Sequence, residues 1–147
     1  MHNIAVLLAS GSGQRFNADS VPKHLTPILN HAVIVWTLGI ITRSNIFSDI
    51  VVVTRDQDLN ITKETLNNYN FTDDTHIHYT TGSNDRTQSF NLGLKHLDNS
   101  GLVDYKSIVA LFDGNRPLTS EKQLESLYST AVNKGCSCPA RPVINGV

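Results

Sequence analysis

Little in this 147-residue chain is concentrated enough to name a chemistry by abundance. Cysteine occurs only at Cys136 and Cys138. Two thiols at i and i+2 share one face of a strand, but no third cysteine completes a metal set, so packing is their expected role. Charge of one sign is also scarce. A formal net charge of −1 excludes the broad basic footprint that polymeric nucleic acid requires. The longest apolar stretch, Ala32 to Ile41, is too short to span a bilayer and is interrupted by Thr37 and Gly39. The first residues lack a basic region and a cleavage signature, so no secretion signal is expected and the cytoplasm is the default location. No GxxxxGK[ST] string occurs, and no Ser–His or Cys–His pairing is evident. His76 and His78, in THIHYT, have no third ligand nearby and read as surface or edge-strand residues. Repeats, low-complexity runs and linkers are missing too, and the length suits one domain.

What is present is a glycine loop. Ile4-Ala5-Val6-Leu7-Leu8 is a continuous apolar run, the pattern of a buried parallel strand, and Ala9 to Lys23 follows as ASGSGQRFNADSVPK. Gly11 and Gly13 permit a tight turn and close approach to a ligand. Successive N–H groups in such a loop form an anion-binding concavity, and Arg15 and Lys23 add positive charge. The dinucleotide fingerprint GxGxxG fails at its third glycine, which is Phe16, and Val51-Val52-Val53 runs into Thr54 where an acidic residue would stand. The spacing G-x-G-x-R-F followed by P-K suits a loop that wraps a triphosphate. The alternative is a glycine turn whose Arg15 and Lys23 are merely solvated.

Further along, apolar runs alternate with helical periods, which predicts a βαβ series and a mostly parallel sheet. Pro22 and Pro27 should keep the chain extended. A largely apolar helix is expected from Ala32 to Arg43, a strand over Asp49 to Thr54, a weaker helix from Leu59 to Tyr69 and a strand over His76 to Thr80. Asp85 with Gln88, and Ser120 with Gln123, have the spacing of helix starts. The first opens a helix carrying Phe90, Leu94 and Leu97. The second opens one with the stripe Leu124, Leu127, Tyr128, Ala131 and Val132. Between them Ser107 to Phe112 predicts a strand, and Cys136 to Val143 a fifth.

Three strand-to-helix loops each carry an arginine: Arg15, Arg86 and Arg116. In a doubly wound sheet these loops share the carboxyl edge, and ligands bind where strand order reverses. Strands one and four should flank that reversal, bringing Gly11–Arg15 to face Asp113–Arg116. Asp113, directly after an apolar strand, is placed either to hold Mg²⁺ beside substrate phosphates or to cap the next turn or pair with Arg116. Arg116 is placed either to touch ligand or to brace the loop.

Ala9-Ser10-Gly11-Ser12-Gly13-Gln14-Arg15-Phe16 with Pro22-Lys23 resembles the signature of the methylerythritol phosphate cytidylyltransferase family and of the related ribitol-phosphate cytidylyltransferases. Gly82-Ser83-Asn84-Asp85-Arg86-Thr87-Gln88-Ser89 resembles that family's GGxxRxxS element, and Phe112 to Pro117 its HDAARP element. The resemblance implies a Rossmann-like, doubly wound α/β domain with helices on both faces, of the nucleotide-diphospho-sugar transferase type. It implies that Ala9, Ser10, Gly11, Ser12 and Gly13 hold CTP phosphates and part of the base. Arg15 and Lys23 would act on charge at the α-phosphate, and Gly82, Ser83, Arg86, Ser89 and Gly114 would lie against the nucleotide. Asp113 would ligate Mg²⁺ and adjoin the nucleotide.

The implied reaction is transfer of CMP from CTP to a sugar-alcohol phosphate with release of pyrophosphate. 2-C-methyl-D-erythritol 4-phosphate, in isoprenoid precursor synthesis, is the favoured acceptor, and ribitol or another polyol phosphate the alternative. His24 departs from the family's usual glutamine, Ser83 from its second glycine, and Phe112 and Gly114-Asn115 from its histidine and alanines. A homodimer is also implied. Its dimerisation arm, with a return segment carrying a second metal-binding aspartate and another catalytic lysine, is expected to be missing from a chain ending at Val147. Two other functions stay open: a nucleotide-binding domain without turnover, and a guanylyl- or uridylyltransferase with a similar glycine loop.

Overall fold

The computed structural model describes residues 2–11, 21–71, 75–140 and 142. Strand β1, Asn3–Ala9, is buried from Ile4 onward, as a run apolar on both faces requires. A one-turn 3-10 helix at Lys23–Leu25 follows, and then a hairpin of β2, Pro27–Ile28, and β3, His31–Ala32. The extended backbone expected here holds at Pro22 (φ −54, ψ 137), at Thr26 (φ −59, ψ 131) and through Pro27–Ile28, and is broken by the 3-10 turn at Lys23–Leu25. Leu29 and Asn30 close the hairpin at φ 49 and 67, the positive values a two-residue type I′ turn demands.

Helix α1, Val33–Arg43, is buried along most of its circumference, which is why its sequence is apolar nearly all round. Strand β4, Asp49–Thr54, is wholly buried. Helix α2, Leu59–Asn67, stops two residues short of the expected end, and Tyr69 packs beyond it against the core. Strand β5 is His76–Thr81, and helix α3 is Arg86–Asn99, opened by Asp85, whose carboxylate accepts from Gln88 N at 2.7 Å. Strand β6 is Ile108–Asp113. Helix α4, Glu121–Lys134, starts at Ser120, whose hydroxyl accepts from Gln123 N at 3.2 Å, and ends on the left-handed Gly135. Both expected caps are therefore formed.

The four long strands form one parallel sheet in the order β5-β4-β1-β6. Order reverses between β1 and β6, the two strands expected to flank a ligand crevice. One core cluster joins Ala5 and Leu7 to Ile34, Leu38 and Ile41 of α1 and Leu66 of α2. The other joins Ile4, Val6, Val51 and Val53 to Leu97 of α3. Helices thus cover both faces. Gly93 sets the approach of α3, since a Cβ there would sit 2.9 Å from Val6 Cγ1. No helix among the described residues is long and apolar enough to cross a membrane.

The expected fifth strand is a correction. Residues 136–140 leave α4 as exposed, irregular chain, and Cys136 and Cys138 are exposed instead of packed. Pro139 and Pro142 offer no N–H to a ladder, and among the described residues no strand pairs with the outer side of β6. Residues 141 and 143–147 lie outside the described residues. His76 and His78 do fall on an edge strand, where His78 Nε2 lies 2.9 Å from Asp49 Oδ1.

Candidate functional site

Three loops converge at the carboxyl ends of β1, β4, β5 and β6. From β1 come Ala9 and Ser10, both buried, and the exposed Gly11. Ser12, Gly13 and Arg15 lie outside the described residues, so the rest of the glycine loop has no geometry to add.

From the loop after β5 come Gly82, Ser83 and Ser89. Gly82 N donates to Thr54 O at 2.7 Å, which draws this loop over the end of β4. The approach leaves no room for a side chain. A Cβ on Gly82 would stand 2.8 Å from Val53 Cγ1, 2.9 Å from Ser89 Oγ and 3.0 Å from Ser10 Cβ. Ser89, wholly buried on the first turn and a half of α3, ties the two loops together. Its hydroxyl donates to Ser83 O at 2.9 Å and accepts from Ser83 N at 3.0 Å. With its single proton so committed, it accepts from Ser10 Oγ, 2.7 Å away. The glycine loop and the loop after β5 are thus joined by a saturated buried serine pair.

From the loop after β6 come Asp113 and Gly114. Asp113 pairs in register with Leu8, and Gly114 N donates to Leu8 O at 2.8 Å. A Cβ on Gly114 would meet that oxygen at 3.1 Å and Ala9 Cβ at 3.5 Å. The end of β1, where the glycine loop begins, and the loop after β6 therefore lie side by side; the expected facing of Gly11–Arg15 and Asp113–Arg116 falls mostly outside the described residues. Arg86 Nε donates to Asp113 Oδ1 at 3.1 Å and Arg116 Nε to Oδ2 at 2.9 Å. Of the two placements open for Asp113 and Arg116, the protein adopts the ion pair, with Arg116 bracing its loop. Both arginines are mostly exposed and use Nε here, so the Nη ends of two forks are not used in this contact. Two guanidiniums around one carboxylate leave a local excess of positive charge suited to an oxyanion.

Asp113 is also the residue expected to hold Mg²⁺. A hard carboxylate at the crevice, with phosphates supplying the other ligands, fits that ion. Each of its oxygens accepts from one arginine and keeps a second lone-pair direction, so an ion would share the carboxylate with the guanidiniums or displace one of them. No group of three or more His, Cys, Asp or Glu among the described residues is placed to hold a metal.

Lys23 stands exposed on the 3-10 turn, and the turn is anchored by its neighbours. Leu25 enters the core cluster beneath α1. His24 is buried, its Nε2 3.0 Å from Thr62 Oγ1 on α2. Burial drives its pKa down from 6.5 to about 4, with Asp58 pulling upward and Arg55 downward. In the sequence His24 is visible only as a departure from a family pattern. Nothing local announces its burial or its partner, because Thr62 lies 38 residues away on another helix.

The profile of the 2-C-methyl-D-erythritol 4-phosphate cytidylyltransferase family matches residues 3–147. A relative from Halalkalibacterium halodurans, named 2-C-methyl-D-erythritol 4-phosphate cytidylyltransferase, is 29% identical over 97% of this chain. The chain spans 59% of that relative's length. A solved 4-diphosphocytidyl-2C-methyl-D-erythritol synthase from Anaerococcus prevotii superposes with a TM-score of 0.69 at 28% identity, covering 90% of this chain and 52% of its own. The bifunctional IspDF of Campylobacter jejuni shares the fold, with a TM-score of 0.67 at 22% identity over 90% of this chain and 31% of its own. The chain therefore belongs to the 2-C-methyl-D-erythritol 4-phosphate cytidylyltransferase family.

Proposed function

We propose that this chain binds CTP in the crevice between the ends of β1 and β6 and takes part in cytidylyl transfer. An oxygen of a sugar-alcohol phosphate attacks the α-phosphorus of CTP. The new P–O bond forms as the bond to pyrophosphate breaks. The acceptor we favour is 2-C-methyl-D-erythritol 4-phosphate, the compound in the name of the family and of the H. halodurans relative; ribitol phosphate is the alternative. Action in the cytoplasm and as a homodimer belongs to the same proposal.

The observation that carries it is the joining of the glycine loop to the loop after β5 by the Ser10–Ser89 bond, beside the Arg86–Asp113–Arg116 bracket. Transfer of this kind asks a protein for positioning and charge neutralisation more than for a covalent nucleophile. Ala9, Ser10, Gly11, Ser12 and Gly13 would cradle the phosphates, and Arg15 and Lys23 would offset charge at the α-phosphate. Gly82 and Ser83 would face the cytidine, with the buried Ser89 holding their loop in place from beneath and Gly114 permitting close approach. Asp113 would hold Mg²⁺ together with phosphate oxygens; when bound, the ion neutralises charge that develops on the phosphates. Arg86 and Arg116 orient Asp113 until then.

The test is pyrophosphate release from CTP and Mg²⁺ with each acceptor in turn. Release with methylerythritol phosphate, lost in Lys23→Ala, is expected. Unchanged release in Lys23→Ala would remove Lys23 from the chemistry. CTP binding without release from either acceptor would reduce the chain to a nucleotide-binding domain.

A further inference from the structure

The 3-10 turn that carries Lys23 is only three residues long and has little of its own to fix it. Its backbone makes Leu25 N→Pro22 O at 2.8 Å and Thr26 N→Lys23 O at 3.3 Å. Such a turn can pivot about its axis unless side chains hold it. Leu25 supplies one anchor, apolar and non-directional. Val33 N of α1 donates to Thr26 O at 3.0 Å and ties down the end of the turn. The directional side-chain anchor, next to Lys23 itself, is His24, 3% exposed, whose Nε2 lies 3.0 Å from the fully buried Thr62 Oγ1. Behind it, the 3-10 turn Asp56–Asp58 that precedes α2 is itself held by Arg55 Nε to Asp58 Oδ2 at 2.6 Å. Arg55 and Asp58 are the charges that face the imidazole, and they oppose each other. The ring is therefore kept neutral by burial, and its fixed hydrogen bond sets the direction in which the preceding residue projects.

We propose that His24 is the positioning residue for Lys23: through Thr62 it fixes the turn that aims the lysine ammonium, without touching substrate itself. This rests on Lys23 acting on the nucleotide's phosphates. Nothing in the turn's own sequence replaces the bond, since Pro22 has no N–H and Leu25 has no polar group. A glutamine amide is long enough and polar enough to take over the bond to Thr62. An alanine is not.

Two measurements on the full chain separate the possibilities. Hydrogen exchange reads the turn itself: the amides of Leu25 and Thr26 should lose protection in His24→Ala and in Thr62→Val while α3 amides keep theirs, and His24→Gln should restore it. Calorimetric titration with CTP and Mg²⁺ reads the consequence. His24→Ala should weaken binding about tenfold, Gln should recover most of that, and cytidine, which lacks phosphates, should bind all variants alike. In a Lys23→Ala background the His24→Ala change should add almost nothing, because two residues acting through one contact are not additive. Equal losses in both backgrounds, or unchanged exchange at Leu25 and Thr26 in Thr62→Val, would overturn the proposal. If the parent chain binds no CTP, the nucleotide function fails instead, and the exchange result alone decides whether His24 fixes the turn.

Discussion

Acidification should destabilise this protein through one buried imidazole before its carboxylates titrate. His24 has a folded pKa of about 4 against an ordinary 6.5. Between those values the unfolded chain binds a proton that the folded chain refuses, so stability rises with pH across that window. The contribution is complete above pH 6.5, shrinks as the pH falls, and is fully lost below about 4. The whole shift corresponds to about 3 kcal/mol, and about 2 kcal/mol of it is gone by pH 5. Exposure does not dilute the effect, because His24 and Thr62 are both buried. His96 also has a lowered pKa, from burial and from His78, and pushes the same way. Asp49 behaves oppositely in range: burial opposes, but bonds from His78 and Ser48 hold its pKa below 3.8, so its contribution fades only at lower pH. The assay is urea unfolding at pH 7 and pH 5, followed by Trp36 fluorescence, with His24→Gln as the non-titrating reference. The parent chain should lose about 2 kcal/mol more than the variant between the two pH values. Equal losses would show that His24 is not buried and neutral, and would refute the reasoning.

Other substitutions test the packing and the bracket. Leu29 is 79% exposed at φ 49, a conformation that costs a leucine about 1 kcal/mol and an asparagine less, so Leu29→Asn should raise the melting temperature. Gly82→Ala should cost about 1–3 kcal/mol through its clash with Val53, Ser10 and Ser89, and should abolish CTP binding even where thermal melts show the chain still folded. Asp113→Asn should cost under about 1 kcal/mol of stability, since both arginine partners are exposed, while weakening the Mg²⁺ dependence of CTP binding measured by calorimetry.

The sequence makes the sheet legible because its central strands are short apolar runs and glycine loops follow β1, β5 and β6. Ile4 to Leu8 and Ile50 to Val53 admit few readings other than strands covered on both faces. The caps at Asp85 and Ser120 are legible for a local reason: cap and recipient N–H are three residues apart. From these the strand order follows by topology rules, and with it the meeting of the loops after β1 and β6. What escapes the sequence is long-range or context-dependent. The expected strand at 136–143 misreads two prolines, since Pro139 and Pro142 cannot donate to a ladder, and at described residues 136–140 the chain is exposed and irregular. The hairpin at 27–32 is hidden because Leu29 is an unusual residue for a positive φ. The Asp113–Arg116 pair is local, three residues apart, and so legible as one option, whereas the Asp113–Arg86 pair joins loops 27 residues apart and is not. The Ser10–Ser89 bond spans 79 residues and carries no motif of its own.

Thermal unfolding of the chain with Mg²⁺ and each of CTP, UTP, GTP and ATP tests most directly whether the three loops form a cytidine nucleotide site. A ligand bound only by the folded state adds about 2.7 kcal/mol at a hundredfold excess over its Kd. A rise in melting temperature with CTP, absent with the other three, is predicted. A rise with GTP or UTP and none with CTP, or no rise with any nucleotide, would contradict it.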